Sequence, residues 1–267
     1  MKEAFRNAII LDPEKNKHYI GDIIIEKNRI LDIGPNVYKN EKPKNYINTT
    51  DCKGLYVCPG LIDMRVSLGE PGEEHKENIK SGSKAALAGG VTTIVCLPNT
   101  NPVIDNVSVA EYVQKRAKEE SKINLYTYGS ITKNFDGQNL SEMGLLTKAG
   151  VKGFTDATQS VDNSAVFKRA LEYSKAFDAL IIQFPEDRNL AKHGVMNEGE
   201  ISTRLGLPGI PTLAEVVVIE RDLRLVELTG AKYHVSCIST ADAVEVIRKA
   251  KQKGVKITCD TSPQYFT

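Results

Sequence analysis

The chain has 267 residues, 41% of them apolar, so it can bury a large core as one or two globular domains. Lys and Arg number 35 against 34 Asp and Glu, a net charge of +1, which excludes the basic surplus of a dedicated nucleic-acid binder. No apolar run is long enough to span a bilayer, and the N-terminus meets Asp and Pro before a signal core develops, so a cytoplasmic location is expected. The five cysteines, at 52, 58, 96, 237 and 259, lack zinc-finger spacing and read as reduced thiols.

The chain opens with β signals. FRNAIILD reads as a strand, and GDIIIEKNRILDIGP as a hairpin turning at Lys27, Asn28 and Arg29. NVYKNEKPKNYINTTD follows as a loop with an edge strand. These segments, residues 1–56, are expected to form a small N-terminal β-sandwich segment.

From residue 57 the rhythm becomes strand, loop, helix. The predicted strands are LIDMRV, TTIVCLP, NLYTYGSI, VKGFTD, ALIIQFP, KYHVSCIS and KITCDTS. They are short, rich in Val, Ile and Thr, and almost continuously apolar, as buried parallel strands are. Helical patterns lie between them, in HKENIKSGSKAALAGG, SVAEYVQKRAKEES, LAEVVVIERDLRLVELTG and ADAVEVIRKAKQKG. Seven such units predict an α/β fold, a (β/α)8 TIM-type barrel over residues 57–267. An open seven-stranded arrangement is the alternative. The eighth strand is expected to lie beyond SPQYFT, a truncation that would expose the edges of strands one and seven and favour association.

A barrel of this type carries its site at the C-terminal ends of its strands. There PGLIDMRVSLGEPG frames a strand on which Arg65 and Ser67 share one face. Together with PNTNPVID, GFTDATQSV, FPEDRNLAKHGVMNEGEISTRLGLPGIP, YHVSCISTADAVEVIRKAK and TSPQYF, that frame resembles the dihydroorotases of the amidohydrolase superfamily, along essentially the whole chain. The resemblance implies closure and hydrolysis of the cyclic amide of dihydroorotate in pyrimidine synthesis, with one or two zinc ions at the barrel mouth. Such an ion lowers the pKa of bound water from about 15.7 to about 7, roughly 12 kcal/mol in hydroxide availability.

Carried across by the resemblance, the first-strand His-x-His falls on Arg65 and Ser67, and the carboxylate-gripping arginine on Gly69. The fourth-strand carboxylate ligand is kept as Asp156. The fifth-strand histidine becomes Phe184, and in the sixth-strand His-x-x-His His234 remains while the ligating second position is Cys237. Gln264 and Tyr265 stand where strand-seven histidines often occur, and Asn99 is the retained substrate contact. No zinc cofactor is therefore expected. Arg65 has no acceptor and keeps its charge, so it would repel a cation and needs a counter-charge if buried. Asp156 is the expected partner, with the guanidinium standing where zinc would be.

Plainer roles are assigned elsewhere. His18, His75 and His193 read as surface or structural residues, and Asp63 as structural. Glu186 and Asp187 read as loop anchors, and KAALAGGVTT as a helix-to-strand corner with Gly at the helix end. Cys237 reads as a buried thiol, since positions three apart on a strand face opposite ways.

Three functions stay open on these residues. The first is a metal-free, inactive homologue in a homo- or hetero-oligomer; the resemblance implies aspartate transcarbamoylase as partner, with neither nucleic acid nor membrane. A second is an active cyclic amidohydrolase with ligands rearranged onto Asp156, Cys237 and Asp260. The third is a binder of a ureido or carboxylate ligand through Arg65 and Asn99.

Overall fold

The computed structural model describes residues 2–40 and 46–265. Positions 41–45, part of the expected loop, lie outside the described residues. Two compact units are present, Met1–Leu61 and Ile62–Thr267, so the first runs past the 56/57 boundary read from the sequence.

The first unit is a five-stranded sheet. Strands β1 (Lys2–Asp12), β2 (Lys17–Glu26) and β3 (Arg29–Gly34) pair antiparallel in sequence. Ile25 faces Ile30 and Glu26 faces Arg29, which leaves Lys27 and Asn28 as the turn, with Lys27 in the left-handed region at φ 52°. A short helix α1 (Val37–Asn40) follows within the expected loop. β4 (Tyr46–Asp51) and β5 (Tyr56–Val57) then both pair parallel with β1. Ala8, Ile10, Ile23 and Cys52 form a small core.

The second unit alternates strand and helix. In chain order its main elements are β6 (Leu61–Val66), α2 (Ile79–Ala88), β7 (Val91–Cys96), α3 (Val107–Glu120), β8 (Asn124–Thr127), α4 (Met143–Lys148), α5 (Ser164–Lys175) and β9 (Leu180–Gln183). An excursion follows, holding α6 (Arg188–Ala191), β10 (Met196–Asn197), α7 (Glu200–Leu205) and β11 (Gly209–Ile210). Then come α8 (Leu213–Thr229), β12 (Lys232–Val235), α9 (Ala241–Gln252) and β13 (Ile257–Cys259).

Side-chain caps start the helices where the sequence supplies them. Asn78 accepts from Ser81 N at 2.9 Å, Asn106 from Val109 N at 3.3 Å, Asn163 from Ala165 N at 3.0 Å and Thr240 from Ala243 N at 3.2 Å. Each satisfies an amide that the first helical turn leaves without a partner.

The strands form an arc in the order β6-β7-β8, then β9-β12-β13. The segment 152–155 joins the two sets, with Phe154 bridging in parallel to Gly129 and to Ile181. The predicted fourth strand, VKGFTD, is thus reduced to a bridge, though it keeps its place. Side chains alternate as a barrel demands. Val95, Leu97, Tyr128, Ala157 and Ile182 pack on the inner face, while Ile94, Cys96, Ile181, Tyr233 and Val235 pack outward with Val113, Phe167, Ile219 and Ile247 of the helices. This is the α/β barrel architecture, seen through its seventh strand.

Candidate functional site at the strand ends

Arg65 is half-buried on β6 and points inward. Its backbone N–H donates to Asp63 Oδ1 at 3.0 Å, the structural role expected of Asp63. The guanidinium donates from Nη2 to Ala157 O at 3.0 Å and from Nη1 to Ser236 Oγ at 3.2 Å, and it lies 5.3 Å from the centre of the Phe184 ring.

Asp156 does not pair with it, contrary to expectation. Its Oδ1 accepts from Ile131 N at 2.8 Å and Thr132 N at 3.0 Å, and its Oδ2 from the Thr132 hydroxyl. Among the described residues no ion pair joins Arg65 to Asp156. The reason is local: Ala157 takes a left-handed backbone at φ 58°, so the carbonyl after Asp156, rather than its carboxylate, serves the guanidinium.

Burial pushes the Asp156 carboxyl up to about 6, against the pull of the Thr132 and Ile131 donors. A carboxyl raised above its unfolded value of about 3.9 holds more protons in the folded state between about pH 4 and pH 6. Stability from this group is therefore greatest below pH 4 and falls as pH rises through 6, by about 2–3 kcal/mol in total. Carbon-13 NMR should show the Asp156 carboxyl titrating near pH 6; a midpoint at or below 4 would contradict this.

Asp260, which follows β13, is the carboxylate that serves the mouth. It accepts from His234 Nε2 at 3.0 Å and from Cys237 N at 2.5 Å, and both of its oxygens lie 3.3 Å from Ser236 Oγ. Burial acts to raise its pKa, but the His234 and Cys237 donors outweigh it and hold the group below its ordinary value. Because the carboxylate only accepts, His234 carries its proton on Nε2, and Nδ1 accepts from Thr258 Oγ1 at 2.7 Å. The sequence offered Asp260 only as a conjectural metal ligand and did not point to Ser236. Period two was the available signal, since 234 and 236 share a face, as do 258 and 260.

Cys237 lies just beyond β12 with φ 59°, half-buried, and burial raises its thiol pKa. Ser67 and Asn99 are exposed and bonded to each other, Oγ to Nδ2 at 3.0 Å. Gly69 has φ 66°, and a Cβ there would stand 2.9 Å from Glu73 O, so this backbone does not accept an arginine. Asp187 anchors its loop, accepting from Asn189 N and Leu190 N at 2.9 and 3.0 Å. His18, His75 and His193 are exposed.

Zinc, the cofactor that the resemblance implies, meets a poor donor set. A permanent cation, a hydroxyl and a phenyl ring stand at Arg65, Ser67 and Phe184, and among the described residues no three His, Cys, Asp or Glu side chains group to hold an ion. The residues present do not fit a divalent metal. What they can do is hold a charge-neutralising hydrogen-bond network.

Comparison with known proteins agrees with this frame. A family model described as dihydro-orotase-like matches residues 54–243. The chain is 45% identical over its whole length to a dihydroorotase of Syntrophus aciditrophicus, covering 62% of that protein, and 42% identical to one of Ehrlichia canis, covering 59%. It therefore spans about three-fifths of the length of the curated relatives it matches. Among solved structures, 98% of it superimposes on 58% of the L-hydantoinase (dihydropyrimidinase) from Arthrobacter aurescens, with a TM-score of 0.80 and 20% identity. All of it aligns with 58% of the dihydropyrimidinase from Brevibacillus agri, at a TM-score of 0.77 and 21% identity. These two likenesses concern the fold, the TIM-type barrel of the amidohydrolases.

Proposed function

Since the chain belongs to the dihydroorotase-like family, we propose that it is a metal-free, catalytically inactive member, serving pyrimidine biosynthesis in the cytoplasm as a structural partner of aspartate transcarbamoylase. One observation carries this reading. The inner-face positions that would ligate zinc hold Arg65, Ser67 and Phe184, and the guanidinium is engaged with Ala157 and Ser236. Without a metal, the described residues at the mouth supply no Lewis acid to generate hydroxide at neutral pH.

Two further residues support the loss of turnover. Gly69 replaces the carboxylate-gripping arginine in a backbone that disfavours any side chain. Asn99, the retained substrate contact, is held by a bond from its amide to Ser67. The partner and the oligomeric state rest on family resemblance alone. No helix among the described residues is long and apolar enough to cross a membrane.

Metal analysis of purified protein, with dihydroorotate turnover measured alongside, tests the reading. Zinc well below one per chain and no turnover are expected. One zinc per chain with turnover would favour a working cyclic amidohydrolase with a rearranged site. Thermal stabilisation by dihydroorotate without turnover would favour the ligand-binding alternative. Co-purification of aspartate transcarbamoylase from the native host tests the partnership, and its absence would remove that part.

A further inference from the structure

Five strand ends meet at the guanidinium. Arg65 projects from β6, the Ala157 carbonyl stands at the end of the fourth strand position, and Phe184 follows β9 with its ring under the charge. Ser236 follows β12, and Asp260 follows β13. Ser236 is the joint. Its oxygen accepts from Arg65 Nη1 at 3.2 Å, and because arginine offers no acceptor, the single hydroxyl hydrogen is left to point at Asp260, 3.3 Å away. A fixed cation and a carboxylate are thereby connected through one buried hydroxyl.

The backbone is shaped around the same network. Ala157 and Cys237 are both non-glycine residues in the left-handed region, at φ 58° and 59°. The Ala157 carbonyl points at Arg65 and the Cys237 N–H at Asp260. Side chains with a Cβ avoid this conformation unless the surroundings hold them there. Two such residues, each contributing its backbone to one end of the charge network, indicate that the contacts hold the strain in place.

We propose that Arg65 and Asp260, bridged by the Ser236 hydroxyl, form a built-in charge network that ties the strand ends together, supplying from the chain the cross-link that a divalent ion would make there. This deepens the metal-free reading above but does not depend on whether the protein turns over a substrate. Metal content decides that reading; energetic coupling between the two charges decides this one.

The test is a double-mutant cycle on the full chain, in buffer with chelator and at one protein concentration, comparing wild type, Arg65→Met, Asp260→Asn and the double variant. Each single change strands the other charge and should lower the melting temperature by about 5–10 °C. The double variant should lose clearly less than the sum, because no unpaired charge remains. Additive losses would overturn the proposal. Should a single variant fail to fold, Ser236→Ala gives a milder arm, keeping both charges and removing the joint. Its loss should shrink to less than half in the background of whichever of Arg65→Met and Asp260→Asn folds, and an equal loss there and in wild type would also overturn the tie.

Discussion

Replacing Asp222 with alanine should destabilise the protein by about 3–5 kcal/mol, the range for breaking a buried charged network by removing one partner. Asp222 lies on α8 with no exposed surface. Its Oδ2 accepts from Tyr233 Oη at 2.6 Å and Gln183 Nε2 at 2.9 Å, and its Oδ1 from Arg221 Nε at 2.9 Å and Nη2 at 2.7 Å. Arg221 also donates to the carbonyls of Val161 and Asp162, and Gln183 Oε1 accepts from Val161 N. One carboxylate thus links α8, β9, β12 and the loop before α5. Burial pushes the Asp222 carboxyl up while Arg221 draws it down, and burial with the nearby carboxylate pushes the Tyr233 phenol well up. Asp222→Asn keeps the shape but turns an amide N–H₂ toward donors, so an intermediate loss of about 2 kcal/mol is expected. Urea unfolding measures both. A loss under about 1 kcal/mol for Asp222→Ala would show that the network is dispensable.

Gly72→Ala should cost about 3 kcal/mol, and its effect should reach the mouth. Gly72 has φ 100°, and a Cβ added there would stand 2.1 Å from Asn101 O and 2.7 Å from Asn101 Cβ. The loops after β6 and β7 interlock at this point, where Asn101 N donates to Pro71 O at 2.9 Å. An alanine has to push the second loop away, and that loop carries Asn99, two residues earlier. The Ser67–Asn99 bond should therefore weaken along with overall stability. NMR of the Asn99 side-chain amide reads the first effect and the urea midpoint the second. An unshifted amide signal with wild-type stability would contradict the interlock.

Much of the barrel was legible because its signals are local. ALIIQFP and KYHVSCIS each contain a largely buried strand of the arc, as short apolar runs suggest, and LIDMRV contains β6, whose residues 61–64 are exposed. Helix α9 was equally readable: Thr240 caps it, and Ala243, Ile247 and Ala250 repeat at helical spacing on its buried face, whereas α5 is not among the predicted helices. VKGFTD is reduced to isolated bridges at Phe154, although Lys152, Gly153 and Thr155 also bond to the backbone of the β8 side. At the mouth, the family resemblance is what assigns ligand positions to Arg65, Ser67 and Phe184, and the two-residue alternation adds only that 65 and 67 share a face. Neither identifies the partner of Arg65. That depends on the left-handed turn at Ala157, where a residue with a Cβ gives no sign of positive φ. Asp156 and Asp260 look equally available in the sequence, and tertiary geometry separates them.

Phe154 has a consequence for how the arc opens. Each three-stranded set has its own ladder, while the short segment 152–155 fastens one set to the other. On one side Lys152 N donates to Thr127 O, Gly129 N to Gly153 O and Thr155 N to Gly129 O; on the other, Phe154 N donates to Leu180 O and Ile182 N to Phe154 O. Such a junction concentrates local unfolding at one seam and lets two cooperative blocks exchange their amide hydrogens separately. The amides of Phe154 and Ile182 then report the seam itself, and the interior of the barrel becomes reachable to solvent through a cleft between blocks.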